Sequence, residues 1–230
     1  MSNTLKLPVG IQSFESLRNE GYVYIDKTPL VWRMVDEGKY YFLSRPRRFG
    51  KSLLMSTIQA FFEGKKQYFD GTVGEPLFIA TDESVKWDWQ SYPVLHLDLN
   101  TDNYSSREVL EDRLNKFLNS QEELFGVSHA EKTIGQRFEG VIERAYKQTG
   151  RGVVILIDEY DKPLLQAIGN KELQNEFRST LKAFYGALKS MDGCIKFAFL
   201  TGVTKFGKVS VFSDLNNLED MSMDPRFTRK

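Results

Sequence analysis

The sequence predicts an α/β protein, a three-layer sandwich in which a mostly parallel central sheet is flanked by helices. Three observations predict it. Strand-like and helix-like stretches alternate along the chain as strand, helix, strand, helices, strand, helix, strand, which is the pattern of parallel strands joined by crossover helices. The run Val153-Val154-Ile155-Leu156-Ile157 is apolar without alternation, as suits a central parallel strand buried on both faces. Two polar signatures stand where such strands end: Gly50-Lys51-Ser52 shortly after the strand-like residues 40–43, and Asp158-Glu159 directly after the run at 153–157.

In chain order, residues 1–38 form a lead-in packed on the core. Within it Tyr22-Val23-Tyr24-Ile25 predicts a short strand. Thr28-Pro29 reads as an N-cap followed by proline at the first helical position. The helix carries Leu30, Val31, Met34 and Val35 on its apolar side and stops at Gly38. The core, 39–205, opens on the strand Tyr40-Tyr41-Phe42-Leu43. After Ser52, the residues Leu54, Ile58, Phe61 and Phe62 recur at i, i+4, i+7 and i+8, one apolar face of a helix. Residues 64–92 are irregular, with glycines at 64, 71 and 74. They hold a small hairpin or partner surface, or else Trp87 and Trp89 simply cover the edge of the core.

A second strand follows at 93–99, alternating in its C-terminal half. Ser105 with Glu108, and Thr133 with Gln136, have the capping-box spacing and open two helices. The first bears Leu110, Leu114, Phe117 and Leu118. The second bears Ile134, Phe138, Val141, Ile142 and Ala145 and ends at Thr149-Gly150. After Asp158-Glu159 a long helix places Leu173, Phe177, Leu181, Phe184, Tyr185 and Leu188 on one face. The last strong strand, 195–200, ends in Thr201-Gly202. The tail, 206–230, is polar and has no strong period.

Composition bounds the function. The 230 residues carry no net charge, which argues against a general nucleic-acid binder while leaving room for a local basic patch. The single cysteine, Cys194, excludes a disulfide within the chain. His96 and His129 are too few and too isolated for a zinc site and read as satisfied structural histidines. No apolar run approaches the ~18 residues that span a membrane, and the start MSNTLKLPVG lacks the layout of a signal peptide. A soluble cytoplasmic protein with no membrane partner is expected.

The chemistry sits at the strand ends. Gly50-Lys51-Ser52 fills three of the four fixed positions of G-x-x-x-x-G-K-[ST], with Arg45 where the first glycine stands. A helix N-terminus offers unpaired N–H groups and partial positive charge to an anion. Gly50 lets the backbone approach a phosphate, Lys51 reaches terminal phosphates, and the Ser52 hydroxyl ligates Mg²⁺. The candidate nucleotide-contacting stretch is therefore Arg45, Pro46, Arg47, Arg48, Phe49, Gly50, Lys51, Ser52 and Leu53. Alone, this match also fits a basic strand-to-helix turn that binds nothing. Asp158 is the second candidate Mg²⁺ ligand, and Glu159 the group that orients and polarises an attacking water. The other reading of this pair is a turn cap beside a solvated glutamate. Two nearly independent signatures in one chain favour the nucleotide site. Thr201, at the end of the next strand, is a candidate bridge between the γ-phosphate and the water, or an ordinary strand-end threonine. Ser44 stands at a strand end as well, so that several strands direct polar groups at one crevice. The loop arginines fork onto phosphate oxygens or onto a protein carboxylate, for which Asp161 is the nearest candidate.

On the stretches LPVGIQSFESLRNEGYVYIDKT, SRPRRFGKSLL, VVILIDEYDKPL and FAFLTGVTKFGKVSVFSDLNNL, the chain resembles the bacterial AAA-ATPase-like family from about residue 7 to 224. Its loop, with arginine in the first position, is that family's own version. The resemblance implies a P-loop NTPase core in which the Thr201 strand lies between the loop strand and the Asp158 strand. It implies Lys51 on phosphate, Ser52 and Asp158 on Mg²⁺, Glu159 on water, Thr201 as γ-phosphate sensor, and ATP as the nucleotide. It also places Tyr24 to Lys27 near the adenine. Family members usually continue into a helical segment and often a PD-(D/E)XK nuclease-like domain. No such pattern occurs here, so 206–230 reads as the start of a truncated continuation. The expected function is Mg²⁺-dependent ATP hydrolysis. The alternatives are a nucleotide-binding switch or interaction module with little hydrolysis, with a protein partner or self-association, or a nucleic-acid-associated part of a defence or mobile-element system.

Overall fold

Strands β1 (Tyr40–Ser44), β2 (Val94–Asp98), β3 (Val153–Asp158), β4 (Ile195–Gly202) and the two-residue β5 (Glu219–Asp220) form one sheet. Their order is β2-β3-β4-β1-β5, and every pair is parallel. This is a computed structural model, and it describes residues 6–205, 211–212, 215 and 217–227. As expected, the Thr201 strand lies between the loop strand and the Asp158 strand.

Alternation along each strand divides the core in two. Val153, Ile155 and Ile157 of β3, with Tyr40 and Phe42 of β1, face a layer of α5 (Arg107–Phe125), α6 (Ile134–Thr149) and α8 (Lys171–Ser190). Val154 and Leu156, with Tyr41 and Leu43, face α1 (Phe14–Asn19), α2 (Thr28–Glu37), α3 (Lys51–Phe62) and the short α4 (Phe78–Thr81). All six residues of β3 are buried, because helices cover both of its faces and strands both of its edges. A further short helix, α7 (Lys162–Gln166), follows the acidic pair.

The Thr133–Gln136 capping box forms as expected. Other local expectations need correction. Residues 22–25 make no strand: Tyr22 has a single bridge to Lys6, and without a neighbouring ladder an extended segment remains irregular. Thr28 is the first helical residue rather than the cap. The carboxylate of Asp26 accepts from Thr28 N at 2.8 Å and Oγ1 at 2.7 Å, and its other oxygen accepts from Phe78 N at 2.9 Å, so one side chain serves the starts of two helices. Ser105 and Glu108 form no capping box, since Ser106 takes the cap position and the Ser105 N–H turns back to Asn103 O. Residues 64–92 contain a 3₁₀ turn and α4 and no hairpin. Trp87 stacks on Phe61 at 4.5 Å and on Tyr92 at 5.4 Å, covering the end of α3. His96 is only half satisfied: Nδ1 meets Gln59 Oε1 at 3.0 Å, while the buried Nε2 has no partner among the described residues. Burial holds its pKa below the usual histidine value.

Candidate functional site

The parallel register brings the carboxyl ends of three strands together. Leu43 pairs with Thr201, Ser44 with Gly202, and Ile157 with Leu200, so Asp158 stands beside Thr201 and across from the loop after β1. That loop, 45–50, leads directly into α3. Gly50 is left-handed at φ 74°, and a Cβ there would meet nothing within 4 Å. The backbone conformation, not crowding, is what calls for glycine. Arg45 is not in the left-handed region. Its N–H continues the ladder to Gly202 O at 3.2 Å, so the first loop position has no conformational need for glycine.

Asp158 is nearly buried, and each of its oxygens takes one hydroxyl. Oδ2 accepts from Ser52 Oγ at 2.9 Å, and Oδ1 accepts from Thr201 Oγ1. The carboxylate thus ties the first turn of α3 to the end of β4. Lys51 is 5% exposed, and its ammonium meets Arg45 O at 3.0 Å, Pro46 O at 3.3 Å and Glu159 Oε1 at 3.1 Å. Three hydrogens face three acceptors. Glu159 sits in the left-handed region at φ 55°, uncommon for a residue with a long side chain. Burial pushes its carboxyl above the usual glutamate range, and the Lys51 ammonium opposes that shift.

Two cavities flank the loop. One, of about 750 Å³, lies between the loop, residues 8–12, Asn100 and Glu159, with Arg47, Arg48, Lys51 and Ser52 on its wall. The other, of about 410 Å³, is largely apolar and is walled by Val23, Tyr24, Ile25, Leu30, Phe49 and Leu54 among others. Pro8, Gly50 and Leu53 border both. A chamber with Arg47, Arg48 and Lys51 on its wall therefore adjoins an apolar one across the same glycine.

The structure brings Lys51, Ser52, Asp158, Glu159 and Thr201 into one contact network. Thr201 is fully buried behind Asp158 and does not line either cavity; its hydroxyl also receives a long 3.4 Å contact from Glu159 N. Arg45 and Phe49 face the apolar cavity, and Arg47 and Arg48 the polar one. Pro46 contributes its carbonyl to Lys51. Ser44 does not direct its hydroxyl at the crevice, because Oγ donates to Val203 O at 3.2 Å. Asp161 is not a partner of the loop arginines. Its carboxylate accepts from Val203 N at 3.1 Å and from Thr204 N at 2.7 Å and Oγ1 at 2.9 Å, fastening the turn after β3 to the turn after β4. Among the described residues no three His, Cys, Asp or Glu side chains gather as a metal cage.

Sequence reasoning missed several wall residues. Asn100 just past β2 was findable, since ligands in such sheets bind beyond the carboxyl ends of strands. Residues 8–12, Met221 and Phe227 carry no local signal, because they reach the cavities only through the tertiary fold.

A family model described as "Predicted AAA-ATPase" matches residues 8–212. A protein of Azotobacter chroococcum mcd 1, described as an uncharacterized protein in the vnfD 5′ region, is 39% identical over 225 residues. That alignment covers 97% of this chain and 42% of the relative, so the chain spans less than half of the relative's length. Residues 45–53, the acidic pair and Thr201 all lie inside the family match, on a parallel sheet with the expected strand order. The chain belongs to the predicted AAA-ATPase-like family.

Proposed function

We propose that this chain binds ATP with Mg²⁺ and hydrolyses it between the loop at 45–52 and the Asp158-Glu159 pair. The observation that carries the reading is the 2.9 Å contact of Ser52 Oγ with Asp158 Oδ2 beside the 3.1 Å ion pair of Lys51 and Glu159, at the wall of a cavity that Arg47 and Arg48 also line. The donors suit the ion. A hydroxyl and a carboxylate are hard oxygen ligands, few in number, as Mg²⁺ prefers when it keeps waters and phosphate oxygens. Ser52 and Asp158 would hold the Mg²⁺, which would supply positive charge against the negative charge of the transferring phosphoryl group. Lys51 exchanges its loop carbonyls and Glu159 for phosphate oxygens. Glu159, released, orients the water and takes its proton as the water oxygen bonds to the γ-phosphorus and the bond to the leaving diphosphate breaks. Thr201 acts on this reading through Asp158, holding its orientation, rather than on the γ-phosphate directly. The apolar cavity beside Tyr24, Ile25 and Lys27 takes the adenine. The lead-in 1–38 serves as a wall of the nucleotide site carried by the core at 39–205.

The test is phosphate release with ATP and Mg²⁺. Turnover is expected in the wild-type chain. Glu159→Gln keeps nucleotide binding and loses turnover, and Lys51→Ala loses both. Equal release from all three proteins would sink the reading. One observation favours a second reading, a nucleotide-binding switch with little hydrolysis: the water-orienting glutamate is already engaged by Lys51. In that case ATP raises the melting temperature while no phosphate is released over hours. No helix among the described residues is long and apolar enough to cross a membrane, and a cytoplasmic setting fits this chemistry.

A further inference from the structure

We infer that Arg47 and Arg48 supply in cis the positive charge that stabilises the transferring γ-phosphoryl group, so that the site turns over without an arginine from a second chain. The inference rests on the ATPase reading above. Both arginines line the cavity that holds Lys51, Ser52 and Glu159. Both are exposed, and neither side chain makes a hydrogen bond or ion pair to another described residue. They are thus the cations at this cavity that the fold does not spend. Lys51, by contrast, is shared among two carbonyls and a carboxylate. Arg45 is different again: it is half-buried and faces the apolar cavity.

Arg48 carries a second observation. Its φ of 67° puts it in the left-handed region, which a side chain disfavours and glycine does not. No described residue bonds to this side chain, yet the position is not glycine. Strain kept in a loop of this kind points to function. Chemistry supplies the reason. A loose phosphoryl-transfer transition state spreads negative charge over three equatorial oxygens, and a guanidinium offers planar paired donors to such oxygens. An arginine given from within the same chain removes the need for one from a neighbour.

The experiment uses the full chain and three readouts: affinity for ADP with Mg²⁺, affinity for ADP with Mg²⁺ and aluminium fluoride as a transition-state analogue, and turnover per chain over a hundredfold range of protein concentration. Arg47→Ala and Arg48→Gly, singly and together, are compared with wild type. Both positions are exposed, and glycine suits the backbone at 48, so folding is preserved. The double variant should lose turnover by a factor on the order of 10³. It should lose a large part of the analogue affinity and keep ADP affinity within a few-fold. Wild-type turnover per chain should not change with concentration. Unchanged analogue affinity in the double variant, turnover per chain that rises with concentration, or nucleotide binding with no turnover would overturn the inference. Absence of any nucleotide binding by the wild-type chain would instead overturn the reading beneath it.

Discussion

Asp158 shows how much one side chain organises here. Its two oxygens accept hydroxyls from Ser52 on α3 and Thr201 on β4, the first contact partly buried and the second fully so. Removing one donor leaves a buried acceptor without its partner, which costs about 1–3 kcal/mol. Thr201→Val should therefore lower stability by that amount in urea unfolding, while Thr201→Ser, which keeps the hydroxyl, should lose less than half as much. A loss in Thr201→Ser with none in Thr201→Val would mean that the methyl packing of Thr201, not its hydroxyl, matters. At this scale the site was legible in the sequence because its chemistry is local. Lys51 and Ser52 follow Gly50 directly, and Asp158 ends its own strand. The left-handed φ of Glu159 and Arg48 was not legible, since neither residue type favours that region. Arg45 was a puzzle only in the sequence. Its backbone is ladder-like, so the position never needed glycine.

Elements are joined by a few polar clasps. Asp26 accepts from the first N–H of α2 and the first N–H of α4, so Asp26→Ala should cost about 1–3 kcal/mol, the loss of partly buried bonds at two helix starts. A cost near zero would show that solvent serves those N–H groups equally well. Between α5 and α6, Arg137 forks onto Glu122, with Nε to Oε1 at 2.8 Å and Nη2 to Oε2 at 2.6 Å. The guanidinium holds the Glu122 carboxyl below the usual glutamate range. A depressed carboxyl favours the folded state above the unfolded pKa, and that contribution is lost as pH falls through the folded value. Thermal melts from pH 6 downward should show wild type losing its advantage over Arg137→Met below about 4.3. A constant gap between the two proteins would contradict it. Helices with a strong apolar period, such as α6 and α8, were readable from spacing alone. The supposed strand at 22–25 was misread because apolar alternation says nothing of whether a partner strand is at hand. The edge strand β5 has two residues, too few to carry any period.

At the scale of the whole molecule, one parallel sheet separates two apolar layers and gathers its chemistry at one end. Strand alternation and the order of elements made that architecture readable, because a strand apolar on both sides must be covered on both faces. The cavity walls were not readable. Residues 8–12 come from the lead-in, and Met221 and Phe227 come from beyond β4, so only the fold brings them beside the loop. On the proposed reading this assembled end holds a nucleotide with its metal. The most direct test is the melting temperature of Glu159→Gln, which should trap bound ATP, with and without ATP and Mg²⁺, beside Lys51→Ala. ATP at a hundred times its Kd should stabilise Glu159→Gln by about 2.7 kcal/mol, more with Mg²⁺ than without, and should leave Lys51→Ala unmoved. No shift in Glu159→Gln, or the same shift in both variants, would contradict the account.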